Sequence, residues 1–227
     1  MRLSQLAAAV ASLSVSTVYA GFDQNRAGAV LKAPPNNSFT SVTGSFTVPS
    51  LKGNSLLSIW VAIGDTLAQD VVLKGGITYN KTLSSFVAWY PSPITDITED
   101  VPVKAGDSIT VTVSVPSANE TSGTVILENT TQNKKSTQFI PIPRNVDHLS
   151  SFAADWFVQA YQHAGELVQV PEFGTLSFTK CSATLADGTT TGPEKAGTFE
   201  IQGTSGQIYS STKTTASSIS IQQQKVQ

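Results

Sequence analysis

Ser108-Ile109-Thr110-Val111-Thr112-Val113-Ser114-Val115 alternates polar and apolar side chains without a break. Only an extended strand with one wet and one buried face suits that period, because successive strand side chains point to opposite sides. Ser45–Val48 repeats the pattern. Thr124–Glu128, Ser136–Ile140, Trp156–Tyr161 and Thr175–Phe178 are further runs of strand length. Turn signals separate them: Ala105-Gly106-Asp107, Thr121-Ser122-Gly123, Ala186-Asp187-Gly188, and the prolines Pro91, Pro93, Pro141 and Pro143. No stretch sustains a helical stripe. Short strands punctuated every ~8–12 residues predict an all-β sandwich or barrel, with two packed sheets.

Composition sets the class and excludes some partners. A chain of 227 residues that is 40% hydrophobic can bury a real core. With 13% charged residues and a net charge of −2, it offers no basic surface for nucleic acid or an anionic membrane. Arg2, the apolar run Leu6–Val15 and Val18-Tyr19-Ala20 before Gly21 read as a secretory signal peptide. The apolar run is shorter than the ~20 residues a membrane span needs. The expected organisation is a signal peptide over 1–20, a β-sandwich domain over 21–209, and a polar, loosely held tail over 210–227. The expected product is a secreted, extracellular monomer. Four N-x-S/T sequons, at Asn36, Asn80, Asn119 and Asn129, mark it as a glycoprotein. The lone Cys181 rules out an internal disulfide; it reads as a small buried hydrophobe rather than a reactive thiol.

Common catalytic signatures are missing. There is no phosphate-cradling glycine loop, no HExxH and no G-x-S-x-G elbow. His148 and His163 lie in polar surroundings, and no spacing singles out a nucleophile or a metal-ligand cluster. No metal and no cofactor are expected.

An ordered set of short stretches resembles the eqolisins, the fungal glutamic peptidases. They are Asn25-Arg26-Ala27-Gly28-Ala29-Val30-Leu31, Gly44-Ser45-Phe46-Thr47-Val48-Pro49, Trp60-Val61-Ala62-Ile63-Gly64-Asp65-Thr66 and Ala88-Trp89-Tyr90-Pro91. Ala105-Gly106-Asp107-Ser108-Ile109, Thr121–Thr131, Ala154-Asp155-Trp156-Phe157-Val158-Gln159 and Phe178-Thr179-Lys180-Cys181-Ser182 follow in order. The resemblance implies a concanavalin-A-like β-sandwich of two antiparallel sheets, with a peptide-binding cleft on the concave face. It also implies a catalytic pair, in which a glutamate serves as general base and acid and a glutamine holds the water and the oxyanion.

Here both positions of that pair carry other residues. The family's I-L-Q-T-G strand is similar to Val72-Leu73-Lys74-Gly75-Gly76, which puts Lys74 where the glutamine belongs. Its W-I-V-E strand is similar to Trp156-Phe157-Val158-Gln159, which puts Gln159 where the glutamate belongs. Ala88 replaces an acidic residue, Arg26 replaces an early tryptophan, and the loop around Gly64 is a residue shorter. A positioned general base contributes ~10²–10⁴ in rate, and an amide cannot take a proton. Lys74 can replace the oxyanion donor, a further ~10²–10³, but not the base while protonated. Asp155 shares a strand face with Gln159 but lies about 13 Å along it at ~3.3 Å per residue; it reads as a solvated strand-end carboxylate. Trp60, Asp65, Trp89, Tyr90, Phe157 and Tyr161 are the candidate cleft residues, with core packing competing for the tryptophans.

Three functions remain open. The cleft binds a peptide, glycan or small molecule without cutting it; or Lys74 carries a repurposed reaction; or a weak acid-acting endopeptidase survives.

Overall fold

The computed structural model describes residues 20–53, 55–64, 71–116, 122–144, 149, 151–163, 166–167 and 170–224. Its strands in chain order are β1 (Gly21–Asp23), β2 (Arg26–Lys32), β3 (Phe39–Thr47), β4 (Leu57–Gly64), β5 (Val72–Asn80), β6 (Thr82–Tyr90), β7 (Thr95–Asp96), β8 (Ser108–Ser114) and β9 (Ser122–Asn129). They continue with β10 (Lys134–Pro141), β11 (Ala153–Ala160), β12 (Gln162–His163), β13 (Glu166–Leu167), β14 (Thr175–Leu185), β15 (Thr190–Thr191), β16 (Gly197–Ile201), β17 (Ser210–Thr214) and β18 (Ile219–Gln223). A front sheet runs β1-β16-β2-β11-β4-β5-β6-β7, and a back sheet runs β10-β9-β8-β3-β14-β18-β17 with β15 beside β14. Pairing is antiparallel except between β1 and β16. The expected all-β sandwich is what forms.

The two sheets bury themselves differently, and that difference locates the site. In β8 and β9 every second residue is buried, so the back sheet has one wet face. In the front sheet, β4 is buried along its whole length and β11 everywhere except Gln159. Ile59, Val61, Ile63, Trp156 and Val158 point inward to the main core. Trp60, Ala62, Phe86, Ala88 and Phe157 point the other way and form a second, smaller cluster with Val30, Val72 and Ala153. The outer face of the front sheet thus carries a buried apolar layer of its own.

Specific contacts hold the sheets together. The Trp156 indole in β11 donates to the Thr43 carbonyl in β3 at 2.9 Å. Phe46 and Phe178 meet edge-on at 5.5 Å within the back sheet. Gly75 faces β9 so closely that an added Cβ would stand 2.4 Å from Val125 Cγ1, so only glycine fits there.

Four expectations change. The stretch after residue 209 is no loose tail: β17 and β18 complete the back sheet against β14, and Ile219 and Ile221 are fully buried. Two isoleucines separated by one serine make a complete strand face, which a glance at the Ser/Thr/Gln content hides. The sequon at Asn129 is structural, because its buried side-chain amide donates to the Pro102 carbonyl and to Asp107 Oδ2, both at 2.8 Å. Asn36 and Asn80 are exposed, Asn80 at the β5–β6 hairpin, while Asn119 lies outside the described residues. Trp89 packs into the main core, since the period-two pleat turns Ala88 and Tyr90 outward. Asp155 is fully buried in mid-strand rather than solvated at a strand end. Cys181 is also buried, and its thiol is pushed up to about 12 by desolvation, which keeps it protonated and inert.

Integration of β18 has a measurable consequence. Ile221→Ala should cost ~2–5 kcal/mol, the usual range for emptying a fully buried isoleucine, in urea unfolding followed by circular dichroism. A loosely held tail would give a change near zero.

Candidate functional site

On the outer face of the front sheet, cross-strand register arranges the side chains in rows. Gln159 lies beside Ser58 and Thr78; Phe157 beside Trp60, Gly76 and Phe86. Asp155 lies beside Ala62, Lys74 and Ala88; Ala153 beside Gly64, Val72 and Tyr90. On the far side of β11, Arg26 pairs with Gln159 and Gly28 with Phe157.

The aromatic row is flanked by glycines at both ends of its central pair. Phe157 and Trp60 stand 5.2 Å apart, tilted by 47°. A Cβ on Gly28 would lie 2.0 Å from the Trp156 carbonyl oxygen, and one on Gly76 2.0 Å from that of Ile59. Gly28 also holds φ at +156°, where a side chain is strained. Any larger residue at either position would force the strands away from the pair they enclose.

Cations cap this aromatic layer on two sides. The Lys74 ammonium sits 4.9 Å from the Trp60 ring centroid and 5.9 Å from that of Tyr90. The Arg26 guanidinium sits 5.8 Å from the Phe157 ring centroid. Asp23 anchors Arg26, its Oδ2 accepting from Nε at 3.0 Å and from Nη2 at 2.7 Å. Gln159 closes the arrangement: the Trp60 indole donates to its Oε1 at 3.1 Å. Asn25, Arg26, Trp60, Val72, Lys74, Tyr90 and Gln159 together line a cavity of about 110 Å³.

Lys74 and Gln159 therefore share a cavity, although their backbones occupy different rows. Of the other candidates, Trp60 and Tyr90 line it. Phe157 lies beneath as a fully buried support, and Tyr161 stands aside with its hydroxyl bonded to Ser58 at 2.9 Å. Trp89 belongs to the core, and Asp65 lies outside the described residues. Asn25 and Arg26 escaped the sequence reading as wall residues. The signal was there in Arg26, a charged residue leading into the apolar run Ala27–Leu31 of β2.

Chemically, the described wall holds donors and no acid. Desolvation, and next the positive charge of Arg26, lower Lys74 from 10.5 to about 8. At acidic and neutral pH Lys74 is thus a cationic donor, and Gln159 is neutral throughout. Among the described residues, no three His, Cys, Asp or Glu side chains gather to hold a metal ion.

A family model for the Peptidase A4 family matches residues 24–223. The chain belongs to that family. It is 28% identical over 228 residues to aspergillopepsin-2 of Aspergillus niger, covering 88% of this chain and 77% of that protein. It is 26% identical over 181 residues to scytalidopepsin B of Scytalidium lignicola, covering 75% of this chain and 67% of that protein. Among solved structures, scytalido-glutamic peptidase with a peptide-based transition-state analogue superposes with a TM-score of 0.75 at 24% identity, covering 88% of this chain and 98% of that one. Aspergilloglutamic peptidase from Aspergillus niger superposes with a TM-score of 0.65 at 27% identity, covering 74% and 99%. The Peptidase A4 sandwich is thus shared along nearly the whole described chain.

The lowered Lys74 value gives a signed pH dependence. Folded Lys74 holds its proton less tightly than the unfolded chain does, so its contribution makes stability rise with pH between about 8 and 10.5. Urea unfolding across that window should show the rise in the native chain and a flatter curve in Lys74→Met. Equal curves would mean that Lys74 titrates as an ordinary surface amine.

Proposed function

We propose that this chain is a secreted Peptidase A4 protein whose cleft holds a peptide without hydrolysing it, the catalytic pair having been replaced by Lys74 and Gln159. One observation carries the reading: the described walls of the cavity present Lys74, Arg26 and two amides, and no carboxylate. Peptide hydrolysis on this scaffold needs a group to take a proton from water. Gln159 cannot accept it, and Lys74 is protonated at acidic pH, where a glutamic peptidase works. Asp155 does not substitute, because it is fully buried and is not among the described residues that line the cavity. Peptide remains the ligand class that the relatives favour: one structural neighbour was solved with the tripeptide Ala-Ile-His, and another with a peptide-based analogue.

Secretion belongs to the same proposal and rests on the first 20 residues. Among the described residues, no helix is long and apolar enough to cross a membrane. Exposed Asn36 and Asn80 are the sequons placed to carry glycans.

A second reading draws on Lys74 itself. An amine lowered to about 8 is a usable base or nucleophile at mildly alkaline pH. Any activity retained in full by Lys74→Met would count against it.

Cleavage of a denatured protein between pH 2 and pH 7 tests the main proposal. The native chain should show none, and the Lys74→Gln plus Gln159→Glu double variant should gain it by at least about a hundredfold, the low end of what a general base supplies. Acid proteolysis by the native chain that is lost on a conservative Gln159→Asn change would make it a working peptidase.

A further inference from the structure

We propose that the cavity formed by Asn25, Arg26, Lys74 and Gln159 is a carboxylate receptor, so that the peptide held in the cleft is gripped by its C-terminal carboxyl group. This rests on the reading that the cleft binds without cutting.

Charge is the first argument. The whole chain carries a net −2, yet the described wall of this one cavity carries two cations and no acid. Arg26 is already seated on Asp23. Lys74 rests between the faces of Trp60 and Tyr90, with no carboxylate among the described lining residues. Ring faces return only part of the hydration an ammonium loses on burial. An anionic ligand returns the rest and adds a charge-assisted hydrogen bond.

Donor geometry is the second. Gln159 Oε1 already accepts from the Trp60 indole, so its amide NH₂ is the part left to offer. With the Lys74 ammonium on the other side of Trp60, the cavity holds donors on two sides, as the two oxygens of a carboxylate require.

Size is the third. A cavity of about 110 Å³ is several times the ~10–15 Å³ that one water needs on the same measure. That space admits a carboxylate and the carbon bearing it, with the rest of the ligand lying outward past Tyr90, which is partly exposed.

Isothermal titration at pH 6, where Lys74 is protonated, tests this with acetyl-Ala-Ile-Leu as the free acid and as the amide, and with acetyl-Ala-Glu-Leu-amide. The free acid should bind at least about tenfold more tightly than its amide, the difference one charge-assisted hydrogen bond makes. Lys74→Gln should shrink that ratio to within about twofold. Lys74→Arg should keep most of it, and Lys213→Gln, which removes an exposed charge from the back sheet, should keep all of it. Raising the salt should weaken the acid alone, a readout that needs no variant. If the glutamate peptide matches the free acid, the C-terminal grip is overturned. Equal affinity for acid and amide in the native chain, or a ratio that survives Lys74→Gln, overturns the proposal. Cleaved peptide in the calorimeter cell, seen by mass spectrometry, overturns the non-cutting reading instead and leaves the acid-to-amide ratio to judge the receptor.

Discussion

Everything on the outer face of the front sheet depends on one cross-strand pair, Phe157 of β11 against Trp60 of β4. Two large rings can stand side by side on a sheet only where the neighbouring strands yield room. Gly28 and Gly76 yield it, one on each flank, with no side chain to push β2 or β5 away. The pair in turn supplies the flat surface against which Lys74 and Arg26 lie, and the indole N–H that fixes Gln159. Remove the glycines and the rings lose their places; remove the rings and the polar groups lose theirs.

Relatedness to peptidases thus concerns the scaffold first. The sandwich belongs to the family, while the described wall of the cavity carries two cations, two amides and no acid. On the proposed reading, an amide in place of a carboxylate and an ammonium in place of an amide leave a site with hydrogen-bonding groups and no proton acceptor for water at acidic pH. Electrostatics of this kind are set by two or three side chains, so they can change while the core that carries the fold stays as it was.

How much of this could be read from sequence follows from which faces of each strand are wet. β8 and β9 betray themselves by alternation, because their outer faces meet water. β4 and β11 do not alternate, being apolar on both sides, and only the resemblance placed Trp60 and Gln159 together. The last two strands were hidden by composition, since Ile219 and Ile221 are few but sufficient. Asn129 satisfied a glycosylation pattern that carries no information about burial. Asp155 was misjudged for a related reason: sequence gives the distance along a strand, but not what is laid over it. That Lys74 and Gln159 line one cavity agrees with the sequence reading that grouped them. That Trp60 lies between them was not legible, because side-chain reach across three strands cannot be counted in residues.

The shared cavity also bears on reversibility. A single return of position 159 to glutamate would place a carboxylate beside the Lys74 ammonium and near Arg26. The new acid would be tied up as an ion pair, its proton affinity lowered, and it would serve poorly as a base. A single return of position 74 to glutamine would restore a donor with no base to work with. On the proposed reading neither step alone recovers hydrolysis, so selection for cutting would find no gain along either one-step path.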